Sequence, residues 1–221
     1  MAVEREFRIL ALSGGGYLGL YSDALLAALE EQVGEPIGRR FDLVAGTSVG
    51  AITAAAVAFE LPLIDIVEFF RRHGTEVFSP RAKPSSTMGR LLDLSRAVLG
   101  PKYASDALRG LLATHLGEVT FKEALHPLVL PAVNVTHSLT KVFKSPHSDA
   151  SRGDERVRVL DAVMAASAAP AYFPSVSIDG ELYADAGLGI DVATPEATAV
   201  LIDLAAQTLR DVDRKRLKAF L

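Results

Sequence analysis

Cysteine is absent from the sequence. Its absence excludes thiol catalysis, cysteine-ligated zinc and a disulfide framework, and fits a reducing cytoplasm; a metal site of His and Asp alone stays open. A surplus of positive charge is missing too, since 23 Lys and Arg stand against 27 Asp and Glu. That balance gives no electrostatic reason to expect DNA or RNA as a partner. The N-terminus, MAVEREFRIL, mixes acids and bases ahead of its first apolar run and so lacks the form of a signal peptide. Long apolar runs are also wanting. The longest uncharged stretch, residues 43–59, contains Gly46, Thr47, Ser48, Gly50 and Thr53 and is mostly alanine in its second half. A bilayer helix needs about 20 more strongly apolar residues. There is no internal repeat and no low-complexity tract. What is present is a chain of 221 residues, 49% of them hydrophobic, long enough to bury a core without staples.

Along the chain, Phe7 to Leu12 reads as a buried strand stopped by Ser13-Gly14-Gly15-Gly16. Tyr21 to Val33 has helical spacing, with Leu25, Leu26, Leu29 and Val33 on one face, Glu30 and Glu31 outside, and Gly34 as a stop. Phe41 to Ala45 reads as a second strand, Gly46 to Gly50 as a tight turn and Ala51 to Phe59 as a buried helix. This β-α-β-α order predicts an α/β fold with a parallel sheet, ligands gathering where strands end. Pro62 to His73 follows as an amphipathic helix burying Ile64, Val67 and Phe70. Residues 78–103 form a loop-rich, mostly basic insert, read either as a solvated excursion or as a lid touching anions. Helices are expected at Ser105 to Leu116 and, from a capping-box spacing, at Thr120 to Glu123. Strands are expected at Leu128 to Val135 and Leu139 to Phe143, an exposed loop at Ser145 to Glu155, and a helix at Val159 to Ser167. Asp179-Gly180 predicts a hairpin joining Val176–Ile178 to Glu181–Ala184, which leaves Asp185 at a strand end.

The pentapeptide Gly46-Thr47-Ser48-Val49-Gly50 is a G-x-S-x-G match between a strand and a helix, the context a nucleophile elbow requires. Ser48 Oγ would then project above the helix N-terminus, where the dipole and the Val49 amide favour a developing oxyanion. The alternative is a serine in an ordinary βα turn. Gly14-Gly15-Gly16-Tyr17-Leu18-Gly19 fits G-x-G-x-x-G and admits three readings: an oxyanion hole, a dinucleotide loop, or a structural turn. A dinucleotide site wants an acid at the end of the second strand, whereas Asp42 lies at its beginning. The five histidines, His73, His115, His126, His137 and His147, sit on helices or loops without a supporting motif, and none follows Asp185. Asp185 itself could take the serine proton directly or be a turn residue.

Ser-Gly-Gly-Gly-x-x-Gly at 13–19, Gly-Thr-Ser-x-Gly at 46–50, Ala-Ser-Ala-Ala-Pro-Ala-Tyr-Phe-Pro at 166–174 and Asp-Ala-Gly at 185–187 occur in one order. In that order they resemble the patatin-like phospholipases. The wording of residues 9–17, 41–48 and 142–147 is most similar to the bacterial cyclic-GMP-AMP-activated phospholipases of antiphage signalling. The resemblance implies a three-layer α/β fold with a mostly parallel sheet and a serine acyl hydrolase of membrane glycerophospholipids. It implies a Ser48–Asp185 dyad and an oxyanion hole of Gly14, Gly15, Gly16 and Val49. Gly19, Gly46, Gly50 and Gly187 are the supporting motif glycines. It further implies no metal, no cofactor for catalysis, a cyclic dinucleotide as allosteric activator, and action at the inner face of the cell membrane from the cytoplasm. A homo-oligomer is compatible with it. Two other readings stand beside this one, a dinucleotide-dependent oxidoreductase and a non-catalytic lipid- or nucleotide-binding relative.

The sequence departs from the pattern at three places. Leu18 stands where many relatives have Arg or Lys, and Ala186 where Gly is commoner. After Asp-Ala-Gly, residues 188–192 lead straight into a helical stretch. The expectation is therefore a catalytic domain over 7–187 and a helical tail over 188–221, with a segment missing between about Gly187 and Gly189.

Overall fold

The computed structural model describes residues 6–78, 102–147, 149–169 and 173–185. The body of the expected insert, Gly187, the tail and the expected break near 187–189 lie outside the described residues. Strand β1 (Ile9–Leu12) leads through the glycine loop and a short 3-10 turn (Gly16–Leu18) into helix α1 (Gly19–Val33). That helix ends on Gly34, whose left-handed φ of 72° lets its N–H reach Glu30 O. Strand β2 (Leu43–Gly46) runs into helix α2 (Val49–Ala58), then come α3 (Leu63–Phe78) and α4 (Lys102–Leu116). Strands β3 (Leu128–Asn134) and β4 (Leu139–Lys144), helix α5 (Val159–Ala166) and the hairpin β5 (Val176–Ile178) and β6 (Glu181–Ala184) complete the described chain.

The sheet is built around β3. Strands β1, β2 and β3 run parallel, while β4 and β6 join β3 antiparallel and β5 extends β6. Val129 pairs with Ala45 and with Lys144, and Val133 pairs with Ala184 and with Thr140. Strands β2 and β6 therefore share one edge of β3, entering it from opposite ends, and β4 holds the other edge. Every residue of α2 is buried, as a helix apolar all round must be. It rests on β1, β2 and β3, and α5 rests on β3, β5 and β6; α1, α3 and α4 pack on one another and on those two helices.

Several expectations are corrected in detail. Helix α3 runs on past His73 to Phe78, and Ile64, expected in the core, is 54% exposed. It sits at the open end of the helix, where Leu63, Ile66, Val67 and Phe70 take the buried positions. Thr120 to Glu123 does form a capping box, but over a single 3-10 turn. The run Ser145 to Glu155 is not a plain exposed loop. It contains a 3-10 segment (Asp149–Asp154), and buried Asp154 accepts from Lys141 Nζ at 2.6 Å and from the Lys144 amide at 3.2 Å. Glu30, expected outside, turns inward to accept the amides of Ile37 and Leu63. The Asp179-Gly180 hairpin forms with φ of 51° and 81°, the two positive values a type I′ turn needs.

Candidate active site

Ser48 occupies the junction of β2 and α2 with φ 57° and ψ −131°, a region that costs a non-glycine residue on the order of 1–3 kcal/mol. A serine before a helix ordinarily sits in the β region and caps it. Here the rotated backbone turns the hydroxyl away, and Ser48 makes no side-chain capping bond. Ser48 thus differs from a serine that caps its helix in an ordinary βα turn. The glycines on either side are there because the turn is too tight for side chains. A Cβ on Gly50 would lie 2.5 Å from Leu12 O, and a Cβ on Gly46 would overlap the Gly50 backbone. Val49 is the first residue of α2, so its N–H has no intrahelical acceptor.

The glycine loop lies against this elbow. A Cβ on Gly14 would stand 2.8 Å from Ser48 Cβ and 3.6 Å from Ser48 Oγ. Gly15 and Gly16 take φ of 155° and 55°, which turn the loop sharply into the 3-10 segment. Gly19, at the start of α1, lets the Val49 side chain sit directly on its backbone. Leu18 is half-exposed beside the loop. The dinucleotide reading finds no acid: Asp42 accepts the Arg8 amide at 2.9 Å, at the far end of β2 from the glycines.

Asp185 reaches the same place from the other direction. Continuing the two registers on β3 sets Gly46 opposite Leu130 and Asp185 opposite Ala132, with only Pro131 between. Val44 donates to Pro127 O and Val135 donates to Leu182 O, so odd-numbered residues of β3 turn their polar groups toward the edge shared by β2 and β6. Pro131, which has no N–H to donate, stands between the last β3 residue paired with β2, Val129, and the first paired with β6, Val133. The Asp185 amide donates to Ala168 O at 3.0 Å, and the residue is 4% exposed. Next to Ala168 in sequence, Ser167 Oγ donates to Ser48 O at 2.9 Å. The turn after α5 therefore grips both strand ends through consecutive residues.

The structure brings together Ser48, Val49, Gly14, Gly15, Gly16, Gly19, Gly46, Gly50 and Asp185. Three histidines are engaged by carboxylates elsewhere: His126 with Glu60, His137 with Glu181 and His115 with Asp65. Among the described residues no group of acids and histidines is arranged to hold a metal ion. Nor is any described helix long and apolar enough to cross a membrane. Two residues escaped the sequence reading. Ser167 was visible within the 166–174 motif but had no assigned task. Asp23, fully buried, stands at helical spacing between the buried Leu20 and Leu26, and an acid on an apolar face was its signal.

Comparison with known proteins supplies the deciding observation. The family model described as patatin-like phospholipase matches residues 10–198. The chain belongs to the patatin-like phospholipase family. It is 36% identical over 82% of its length to a cGAMP-activated phospholipase of Pseudomonas aeruginosa, covering 53% of that protein. It is 34% identical over 84% of its length to a cGAMP-activated phospholipase of Vibrio cholerae, covering 55% of that protein. Calcium-independent phospholipase A2-gamma of Homo sapiens is 27% identical over 89% of the chain and 26% of its own length. The chain thus spans about half the length of the bacterial patatin-like relatives it matches. Among solved structures, VipD from Legionella pneumophila aligns with a TM-score of 0.50 at 17% identity, covering 86% of this chain and 49% of that one, a likeness of fold.

Proposed function

We propose that residues 7–187 form the catalytic unit of a phospholipase that releases fatty acids from membrane glycerophospholipids. The observation that carries this reading is the meeting of the strained Ser48 elbow, the glycine loop and the Asp185 strand end at one edge of β3. Asp185 accepts the Ser48 hydroxyl proton as Oγ attacks the ester carbonyl, a bond forming between Oγ and the acyl carbon. The amides of the Gly14 to Gly16 loop and of Val49 receive the charge that gathers on the carbonyl oxygen. Collapse expels the lysophospholipid alkoxide, which takes the proton from Asp185. Water, activated in turn by Asp185, then frees the fatty acid. No metal or organic cofactor has a step in this sequence.

Control by a cyclic dinucleotide, action at the cytoplasmic face of the membrane and a homo-oligomeric state complete the proposal. The first of these is supported by the names of bacterial relatives, three of them cGAMP-activated phospholipases and one, from Escherichia coli, a cUMP-AMP-activated phospholipase. The test is hydrolysis of phosphatidylglycerol vesicles by wild type, Ser48→Ala and Asp185→Asn, with and without a panel of cyclic dinucleotides. Both variants should fall to background under every condition, and one dinucleotide should raise wild-type turnover. Undiminished hydrolysis by Ser48→Ala would sink the mechanism; a wild type indifferent to every dinucleotide would sink only the control.

A further inference from the structure

Asp23 is a carboxylic acid with no solvent exposure, on the face of α1 that packs against α2. Thr53 Oγ1, itself buried on α2, lies 2.5 Å from Asp23 Oδ1 and 3.5 Å from Val49 O one turn earlier in its own helix. Among the described residues Asp23 Oδ2 has no hydrogen-bond partner. A buried carboxyl with half its bonding capacity unmet is costly, and an apolar residue would fill the position at less expense. Its value must lie in what the contact fixes. Gly19 on α1 is seated on Val49 of α2, and both members of the Asp23–Thr53 pair stand four residues further along. Residues four apart lie on one helix face, so Gly19–Val49 and Asp23–Thr53 are successive rungs of a single helix contact. The first rung alone, an aliphatic side chain on a bare backbone, tolerates sliding. A directional hydrogen bond one turn deeper does not.

We propose that Asp23 and Thr53 are a positioning pair that locks the axial register of α1 on α2, and so holds the glycine loop at its distance from Ser48 and the Val49 amide. Helix α1 carries the loop at its N-terminus and α2 carries the elbow at its own, so a slip between them is transmitted directly to the oxyanion donors. The role of the pair rests on the reading of Ser48 as nucleophile. Displacement of such donors by about 1 Å lowers turnover by up to about a hundredfold without weakening ground-state binding.

The full 221-residue chain is assayed with p-nitrophenyl butyrate and by the rate of fluorophosphonate labelling at Ser48. Thr53→Val should lower kcat and the labelling rate together by about ten- to a hundredfold with KM within about twofold. Thr53→Ser, which retains the hydroxyl, should recover both. The apolar pair Asp23→Leu with Thr53→Val should melt at or above the wild-type temperature and still be slow, an outcome a purely structural role would not give. Full kcat in that stable double variant, or in Thr53→Val, would overturn the positioning role. A different failure shows in Ser48→Ala: if that variant keeps hydrolysing the ester, the nucleophile is misassigned and the positioning role falls with it.

Discussion

Ser167 donates its hydroxyl to the backbone carbonyl of Ser48 at 2.9 Å, across more than half the chain. That carbonyl also accepts the Ala51 amide at 2.8 Å, so two donors hold the peptide that follows the strained residue. Removing the hydroxyl leaves the carbonyl with its helical bond alone. Ser167→Ala is expected to lower kcat about tenfold, the worth of one hydrogen bond of about 1–1.5 kcal/mol realised at the elbow. Ser167→Thr should keep most of the activity. Steady-state kinetics on both variants checks this; equal kcat for Ser167→Ala and wild type would refute it.

The positive φ of Ser48 makes a second expectation specific. Glycine adopts that backbone without strain, whereas alanine retains the Cβ and the cost. Ser48→Gly and Ser48→Ala should both be inactive, yet Ser48→Gly should be the more stable by about 1 kcal/mol, less a few tenths for chain entropy. Urea unfolding of the two side by side reads the difference.

Gly50 faces a harder wall. An added methyl would meet Leu12 O at 2.5 Å and Ser13 O at 2.9 Å, and both are backbone atoms that cannot swing aside. Gly50→Ala should therefore cost at least about 2–3 kcal/mol and lower the melting temperature by several degrees. A melting temperature within a degree or so of wild type, read by calorimetry, would show that the turn is looser than described.

Burial raises the Asp23 pKa from 3.8 to about 7, with the Thr53 hydrogen bond opposing the rise. Between those values the folded protein keeps a proton that the unfolded chain releases. The carboxyl's contribution is therefore whole below about pH 4 and is lost as the pH climbs through about 7. Asp23→Asn cannot titrate. Its stability relative to wild type should grow by up to about 4 kcal/mol between about pH 4 and pH 8. Denaturant titrations across that range would contradict the assignment if the two proteins ran parallel.

The elements that positioned the site were legible because each had a local signal. Gly34 stopped α1, Asp179-Gly180 turned the hairpin, and the Gly46 to Gly50 elbow sat between a strand and a helix. Bounds slipped by a residue or two where no such signal stood, as at β1, which begins at Ile9 after an exposed Phe7. Ile64 shows a different shortfall: periodicity marks a face, and only packing decides how far along it burial extends. The pairing of β2 and β6 on one edge of β3 was beyond reach, because it depends on registers between segments far apart in sequence. Pro131 carried its trace, since a proline inside an apolar strand asks for a place where no N–H is needed. Ser167 and Asp23 were missed for the same reason, each owing its meaning to a partner on another element.

The edge of β3 also sets how the site comes apart. The elbow belongs to the α/β core, with β1 and β2 in register over four residues. Asp185 follows a two-strand ribbon paired with β3 at Val133 and Asn134, and its amide bond to Ala168 O is a further tie, to the turn after α5. The free energy that separates the working state from a disarmed one is then that of opening the ribbon, a quantity smaller than global unfolding. On warming, Asp185 should leave its place while Ser48 is still held in the elbow. The temperature at which hydrolysis stops would be a thermometer for the hairpin, and not for the protein.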